Sequence, residues 1–397
     1  MDFDAIIVGA GPAGILAATK IAENGHSVIV LEEHEKVGEP DHCAGLLSAS
    51  GLNALKLRPP EEVIQNTVAG ARIHSPSGHS IFIERGRREA FIIDRRRFDS
   101  WLAERATDLG VKIVTGSRVK EISHSKKGTQ TIKTDNQSLQ SKVVVIAEGV
   151  RSVLAKSVGF PTIPKQSRLP AYQYEIERIE IEGDLVEMFY GRQLAPGFFA
   201  WIIPIGERKA RVGLAARTKS KIRLDSALLH HPIIGERLKD GKKIRGMGGT
   251  VIVGQPNQKL STDGMVIVGD TAGMVKATTG GGVIIGGLTA RIAGETINEA
   301  LQANDTSQKM LSRYDKTCKS RYYQELKTMF YTQKVLASLT DKGIDSVVRD
   351  ANNLGLLNIV RKEGDMDLQG QVIRKLIANP RTLLLGLKAV RYINPFL

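Results

Sequence analysis

Phe3-Asp4-Ala5-Ile6-Ile7-Val8-Gly9-Ala10-Gly11-Pro12-Ala13-Gly14 opens the chain, and its reading decides the fold. Residues 3–8 are a short apolar strand. A glycine turn follows at once, and an alanine-rich helix runs to about Asn24. Ser27-Val28-Ile29-Val30-Leu31 reads as a second strand, and Glu32 ends it. A GxGxxG string alone is weak. Inside a strand–turn–helix–strand frame with an acid after the second strand, it is a dinucleotide-binding fingerprint. Each part has a physical task. Gly9 makes the tight turn, Gly11 lets the backbone approach a pyrophosphate, and Gly14 lets the helix pack on the strand. The helix N-terminus stabilises phosphates, and Glu32 accepts hydrogen bonds from ribose hydroxyls.

With 397 residues, the chain is long enough for two or three domains. At 42% hydrophobic and 25% charged residues it has an ordinary globular composition, so disorder and fibrous classes are excluded. Two cysteines, Cys43 and Cys318, make no disulfide framework and point to a reducing compartment. No charged-then-apolar leader precedes Phe3, which argues against secretion and for a cytoplasmic protein. No run of about 18 apolar residues exists, so no membrane-spanning segment is expected. The net charge of +14 favours anionic partners. The basic residues are dispersed apart from two arginine clusters at 85–88 and 95–97, and no nucleic-acid-binding signature accompanies them. General solubility or attraction to a lipid surface is therefore the expected meaning of the charge, and nucleic-acid binding is not.

Further along, residues 68–93 alternate apolar and polar around turns and read as antiparallel strands. Asp94–Leu109 reads as a helix, and Lys142–Ala147 as a buried parallel strand that returns to the first sheet. Residues 168–217 look like a second antiparallel sheet, in which Pro204 ends one strand. Met265–Val268 is another parallel strand. It ends in Gly269-Asp270, and a loop leads to Thr279-Gly280-Gly281-Gly282 and a long helix. An acid placed there can hold a ribityl hydroxyl. Glycines at a helix start offer N–H groups to a phosphate or to an anionic flavin ring. The rest, from Thr306, reads as helical and basic. Leu376–Leu397 has the pattern of an amphipathic helix, either on a lipid surface or over a substrate tunnel.

Together these stretches resemble flavoproteins of the p-hydroxybenzoate hydroxylase fold: GxGxxG at the start, Arg95-x-x-Phe98-Asp99 on a central helix, and Gly269-Asp270. The closer resemblance is to the geranylgeranyl reductase family, including its archaeal digeranylgeranylglycerophospholipid branch. Three stretches carry it. Gly38-Glu39-Pro40-Asp41-His42-Cys43-Ala44-Gly45-Leu46 resembles the family's cysteine loop. Residues 268–275 with Thr279-Gly280-Gly281-Gly282 resemble its second flavin motif. Phe199-x-Trp201-x-Ile203-Pro204 resembles its YxWxFP substrate motif. The chain departs from the family at Ala44, at Lys276-Ala277 where Asn-Pro is usual, and at Phe199 and Ile203. The hydroxylases' Asp-Gly is Ala147-Glu148-Gly149 here.

The resemblance implies an α/β (α+β) fold. A discontinuous Rossmann-type FAD-binding domain (1–67, 94–160 and 255–305) is interleaved with an antiparallel-sheet substrate domain (68–93 and 161–254). A helical C-terminal region (306–397) follows. It implies FAD held by Gly9, Gly11, Ala13, Gly14 and Glu32, by Cys43, Ala44 and Leu46, and by Arg95 and Val119. Asp270, Gly282 and Val283 close the ribityl and isoalloxazine end. Cys43 is the implied catalytic residue; Phe199, Trp201 and Pro204 are the implied substrate residues. No metal is expected, because His230-His231 lacks ligands at suitable spacing. The implied activity is FAD-dependent saturation of isoprenoid double bonds, with a prenylated lipid as substrate. Ferredoxin, a deazaflavin or NAD(P)H would serve as external electron donor, and contact with the inner face of the cell membrane would be peripheral. The alternatives are an FAD-dependent aromatic monooxygenase or halogenase, and a flavin electron carrier without a substrate of its own. Halogenases carry WxWxIP and need a lysine between their pockets, which Val68–Ser80 lacks.

Overall fold

The glycine turn sits where two parallel strands end side by side. Strand Phe3–Val8 pairs in parallel with Val28–Leu31 on one side and with Ser138–Ile146 on the other. Lys112–Val114 extends the sheet beyond Val28–Leu31, and Met265–Ile267 extends it beyond Ser138–Ile146. The chain thus leaves the central strand in opposite directions, and the crevice at such a switch point is where open α/β sheets bind ligands. The computed structural model describes residues 1–124, 128–379, 382 and 391–392.

These strands are near-continuous apolar runs because both faces are covered. Helices Pro12–Ala22 and Val283–Gln302 lie against each other on one face. Small residues permit this close approach. A Cβ on Gly287 would lie 2.7 Å from Leu16, and one on Gly294 would lie 2.7 Å from Lys20 Cβ. Helix Arg95–Asp108 packs against Pro12–Ala22 and buries Phe98, Leu102 and Ala106.

A second sheet has seven strands, in the order Lys242–Ile252, Arg168–Glu177, Lys209–Ala215, Phe199–Gly206, Leu185–Tyr190, Gly70–His74 and Ser80–Glu84. All pairs are antiparallel except Leu185–Tyr190 with Gly70–His74. Side chains alternate between faces. Ile176, Phe189, Ile202 and Val212 pack on one face with Leu224 and Ile234, from helices Ser220–His230 and Ile234–Leu238. Phe199, Trp201 and Ile203 point to the other. Helix Gln308–Cys318 runs through a π-helical turn, Lys319–Tyr323, into Gln324–Ser338. Asp341–Asn353, Leu357–Glu363 and Gln369–Ala378 follow and cover that second face.

Two expectations are corrected, and one strand is added. Residues 68–93 do not all belong to the second sheet: Ala90–Ile93 pairs with Leu46–Ser48 and Ile64–Val68 in a separate three-stranded sheet. Pro204 does not end its strand; the ladder continues to Gly206 through a register shift, which accommodates the missing N–H. Lys242–Ile252 is a long edge strand, although Gly246, Gly248 and Gly249 hide it from any strand pattern. Beyond Asn379, most of the stretch Leu376–Leu397 lies outside the described residues. Among the described residues no helix is long and apolar enough to cross a membrane.

The glycine turn yields a paired prediction. A Cβ on Gly14 would lie 2.1 Å from the Gly9 carbonyl oxygen, whereas one on Gly11 would meet nothing within 4 Å. Gly14→Ala is expected to lower the stability of the apoprotein by about 1–3 kcal/mol through overpacking. Gly11→Ala should leave apoprotein melting unchanged and weaken cofactor binding. Thermal melts with and without FAD check both.

Candidate active site

A single cavity of ≈ 1600 Å³ runs from the glycine turn to the C-terminal helices. Pockets for one small molecule hold about 300–1,000 Å³, so this one has room for two ligands end to end. Its first part is the crevice between the strand ends, lined by Gly9, Gly11, Ala13, Gly14, Glu32 and Val119. Gly9, at φ +104°, puts its α-carbon against Ala147, where a side chain would clash. The helix beginning at Pro12 has no side-chain cap, so its first N–H groups face the crevice free. Glu32 is fixed at the turn. Its Oε2 accepts from the Ala10 N–H at 2.8 Å and its Oε1 from the His34 N–H at 3.0 Å. Lone pairs remain for a diol.

The second loop meets the first. A Cβ on Gly269 would lie 2.8 Å from Ala13 Cβ, so the two turns touch. Asp270 follows, and among the described residues no protein donor reaches its carboxylate. Burial pushes its pKa above the ordinary carboxylate value, with Arg95 partly offsetting. Gly282 keeps the space beside it clear, since a Cβ there would lie 2.7 Å from Asp270 Oδ1. Helix Val283–Gln302 also starts without a side-chain cap, and Thr279 Oγ1 is buried without a partner. Two uncapped helix starts, an open Gly11 and two unsatisfied polar groups in one groove fit a pyrophosphate flanked by hydroxylated arms. FAD has that shape.

The cysteine loop crosses the cavity between crevice and second sheet. Cys43, Ala44 and Leu46 line it, beside Arg95. The Cys43 N–H donates to Asp41 Oδ1 at 3.2 Å, and its Sγ accepts from the Gly45 N–H at 3.4 Å. Arg95 makes a bidentate pair with Asp99, at 2.9 and 2.8 Å. Burial opposes the Arg95 charge, but Asp99 and the Cys43 sulfur more than offset it and hold its pKa above the usual arginine value.

Four residues that the sequence reading passed over hold this loop. Arg211 is fully buried; its Nη1 donates to the Ala44 carbonyl at 2.9 Å and the Ile93 carbonyl at 3.1 Å. Its Nη2 donates to Gln65 Oε1 at 2.7 Å, and its Nε to Glu175 Oε1 at 3.3 Å. Arg245 joins Glu175, at 2.8 Å, to Asp41, at 2.9 Å. Gln173 Nε2 donates to the Cys43 carbonyl at 3.1 Å, while its Oε1 accepts from Trp201 Nε1 at 3.2 Å. Gly213 lies between Gln173 and Trp201 in the sheet; a Cβ on it would meet the indole at 2.6 Å, so glycine seats that ring. No local motif announces these residues. Only the register of adjacent strands brings them together.

Beyond the loop the wall facing the second sheet is apolar. Phe199, Trp201 and Ile203 line it with Val186, Met188 and Tyr190, and Val335 and Leu336 of helix Gln324–Ser338, with Leu339 just after it, close the far side. Pro204 is not among the lining residues, which corrects its assignment to the substrate wall. It alternates away from Ile203, and its carbonyl accepts from Asn66 Nδ2 at 3.0 Å. Glu148 caps helix Val153–Ser157, accepting from three N–H groups at 2.6–2.9 Å.

A family model described as FAD binding domain matches residues 2–327. The chain is 30% identical over 352 residues to digeranylgeranylglycerophospholipid reductase from Methanocaldococcus jannaschii, across 87% of this chain and 89% of that one. It is 28% identical over 396 residues to digeranylgeranylglycerophospholipid reductase 2 from Methanopyrus kandleri, across 97% and 98%. The solved structure of a geranylgeranyl bacteriochlorophyll reductase-like protein from Thermoplasma acidophilum superposes with a TM-score of 0.86 at 26% identity, covering 98% of this chain and 99% of that one. Halogenase PltM, with a TM-score of 0.72 at 16% identity, shares the fold alone and covers 98% and 90%.

Glu175 gives a pH prediction. Burial would raise its pKa, but Arg245, Arg211 and Lys209 hold it at about 2 against an ordinary 4.5. The pairing therefore stabilises the fold fully above the ordinary value. It is lost as pH falls from there toward about 2, because the unfolded carboxyl takes up its proton first. Glu175→Gln should lower stability at neutral pH and flatten the acid limb of a plot of Tm against pH. An unchanged acid limb would remove Glu175 from the account of what fixes the loop.

Proposed function

The chain belongs to the FAD-binding domain family of flavoproteins and is an FAD-dependent oxidoreductase; we propose that it saturates the isoprenoid double bonds of digeranylgeranyl-type membrane glycerophospholipids. The observation that carries this reading is the continuity of the FAD crevice with a long apolar chamber, joined at Cys43. A flat aromatic substrate needs no such length, and an electron carrier needs no chamber. The names of the relatives from Methanocaldococcus jannaschii and Methanopyrus kandleri support the same substrate class.

When bound and reduced, FAD supplies hydride to one carbon of the double bond. An isolated alkene is a poor hydride acceptor, so placement and dryness have to be supplied by the protein. Phe199, Trp201 and Ile203 present a stiff wall for the prenyl chain. Trp201, tied through Gln173 to the Cys43 carbonyl, couples that wall to the loop that crosses the cavity. Cys43 holds its thiol proton at the junction, where it can pass to the second carbon; hydride plus proton then account for the two hydrogens added. Arg95, kept charged by Asp99, sits beside the sulfur and fixes a positive charge at the junction. A ferredoxin, a deazaflavin or NAD(P)H replaces the two electrons. The +14 net charge suits transient contact with an anionic lipid surface.

The direct test incubates FAD-loaded protein and dithionite with an unsaturated digeranylgeranyl phospholipid and weighs the lipid. Gain of one H2 per bond supports the reading; gain of oxygen supports a monooxygenase; unchanged lipid overturns it.

Two variants follow. Cys43→Ser should keep FAD and lose most turnover, since a hydroxyl is a far weaker acid than a thiol; normal turnover would make Cys43 a packing residue. Trp201→Ala should raise the lipid KM far more than it weakens FAD binding. Removing a buried indole costs about 3–5 kcal/mol of stability, so the flavin spectrum has to confirm folding first.

A further inference from the structure

Lys276 is a charged side chain in the cavity wall for which the reaction described above has no use. Its backbone belongs to the second cofactor loop. The Lys276 carbonyl accepts from the Gly280 N–H at 2.7 Å and the Thr279 N–H at 3.2 Å, and its own N–H donates to the Gly281 carbonyl at 3.1 Å. Its side chain leaves that loop and crosses to the C-terminal region. The ammonium donates to Asp367 Oδ1 at 2.6 Å and to the Met366 carbonyl at 2.9 Å. Both partners are nearly buried, at 10% and 6% side-chain exposure. Asp367 Oδ2 accepts from Ser48 Oγ, on the strand that follows the cysteine loop. Beside this pair, Thr278 Oγ1 donates to Gln369 Oε1 at 2.6 Å.

The other end of the same turn is tied elsewhere. Arg85, just beyond strand Ser80–Glu84, donates to the Gly364 carbonyl at 2.5 Å. Asp365 stiffens the middle by accepting from the N–H groups of Asp367 and Leu368 at 2.7 and 2.8 Å. Between the anchors, Met366 packs on the cluster that contains Trp201, Phe198 and Phe199. The turn therefore bridges the outer hairpin and the cofactor loop, with Met366 against the aromatic wall and Leu368 against the cofactor-domain core.

We propose that Gly364–Gln369 is a strap across the cavity that places Met366 against the prenyl chain, and that Lys276, through Asp367, is the positioning residue that registers this strap on the cofactor loop. The proposal rests on the prenyl-lipid reading of the site. Stability alone gives little reason for such a pair. A buried ion pair is often no more stabilising than apolar residues of similar size, whereas loss of one partner leaves the other charge stranded. What the pair adds is a fixed register between two segments distant in sequence.

The test uses FAD-loaded full-length protein and two variants. Lys276→Met strands Asp367 and checks the pairing. Lys276→Met with Asp367→Leu removes both charges and keeps a packed site. The double variant is expected to retain full FAD content and a wild-type flavin spectrum. Amide hydrogen exchange in 364–378 should rise about tenfold, the equivalent of one lost tenfold equilibrium step. Exchange in 3–31 should not change. With digeranylgeranyl phospholipid in detergent micelles, kcat/KM should fall about tenfold, mostly through KM. Unchanged exchange in 364–378 overturns the strap. Faster exchange with unchanged kinetics overturns the positioning role and leaves a structural tie. If the wild-type protein itself leaves the lipid unreduced, the proposed function falls, and the positioning role with it; the exchange comparison then decides the strap alone.

Discussion

A single guanidinium with no access to water holds the two halves of this molecule in register. Arg211 lies on the second sheet, yet it donates to carbonyls in the cysteine loop and in the strand that precedes helix Arg95–Asp108. An isolated charge at that depth would cost several kcal/mol, and only Glu175 and three oxygen acceptors offset it. Because every acceptor is specified, the sheet has few other ways to dock. The placement of Trp201, Gln173 and the Cys43 carbonyl follows from that docking.

The cofactor end depends on a different constraint, which is steric. Helices Pro12–Ala22 and Val283–Gln302 approach closely because Gly287 and Gly294 face Leu16 and Lys20. Their N-termini consequently converge on one crevice, and both lack side-chain caps. Two sets of free N–H groups then point at the same place, an arrangement suited to a large anionic cofactor and to little else.

The crevice was legible because its chemistry is local. Gly9, Gly11, Gly14 and Glu32 act within one βαβ unit, and Gly269-Asp270 acts within one strand–loop–helix. The face shared by Phe199, Trp201 and Ile203 follows from strand alternation alone. Gln173, Glu175, Arg211 and Arg245 were not legible, since each read singly is an ordinary sheet residue. Their meaning lies in the pairing of Arg168–Glu177 with its two neighbours, Lys209–Ala215 and the glycine-broken strand Lys242–Ile252. Pro204 misled for the same reason: a proline suggests a strand end, and only a register shift against Lys209–Ala215 shows that the ladder goes on. Lys276 stood out in sequence as a departure, but its partner Asp367 lies in a helical region where no spacing rule connects the two.

The π-helical turn at Lys319–Tyr323 acts as a phase shifter in a shaft. Upstream of it, Leu311, Tyr314 and Cys318 face the core of the cofactor domain. Downstream, Gln324, Thr328, Thr332 and Val335 face the chamber. One residue of helix is worth about 100° of rotation. Shortening the turn by one would bring Glu325, Met329 and Gln333 round to the chamber and pull Glu325 away from Arg374. A one-residue change in length at this point thus recuts a wall of the cavity and withdraws Leu326 and Met329 from the core of the cofactor domain.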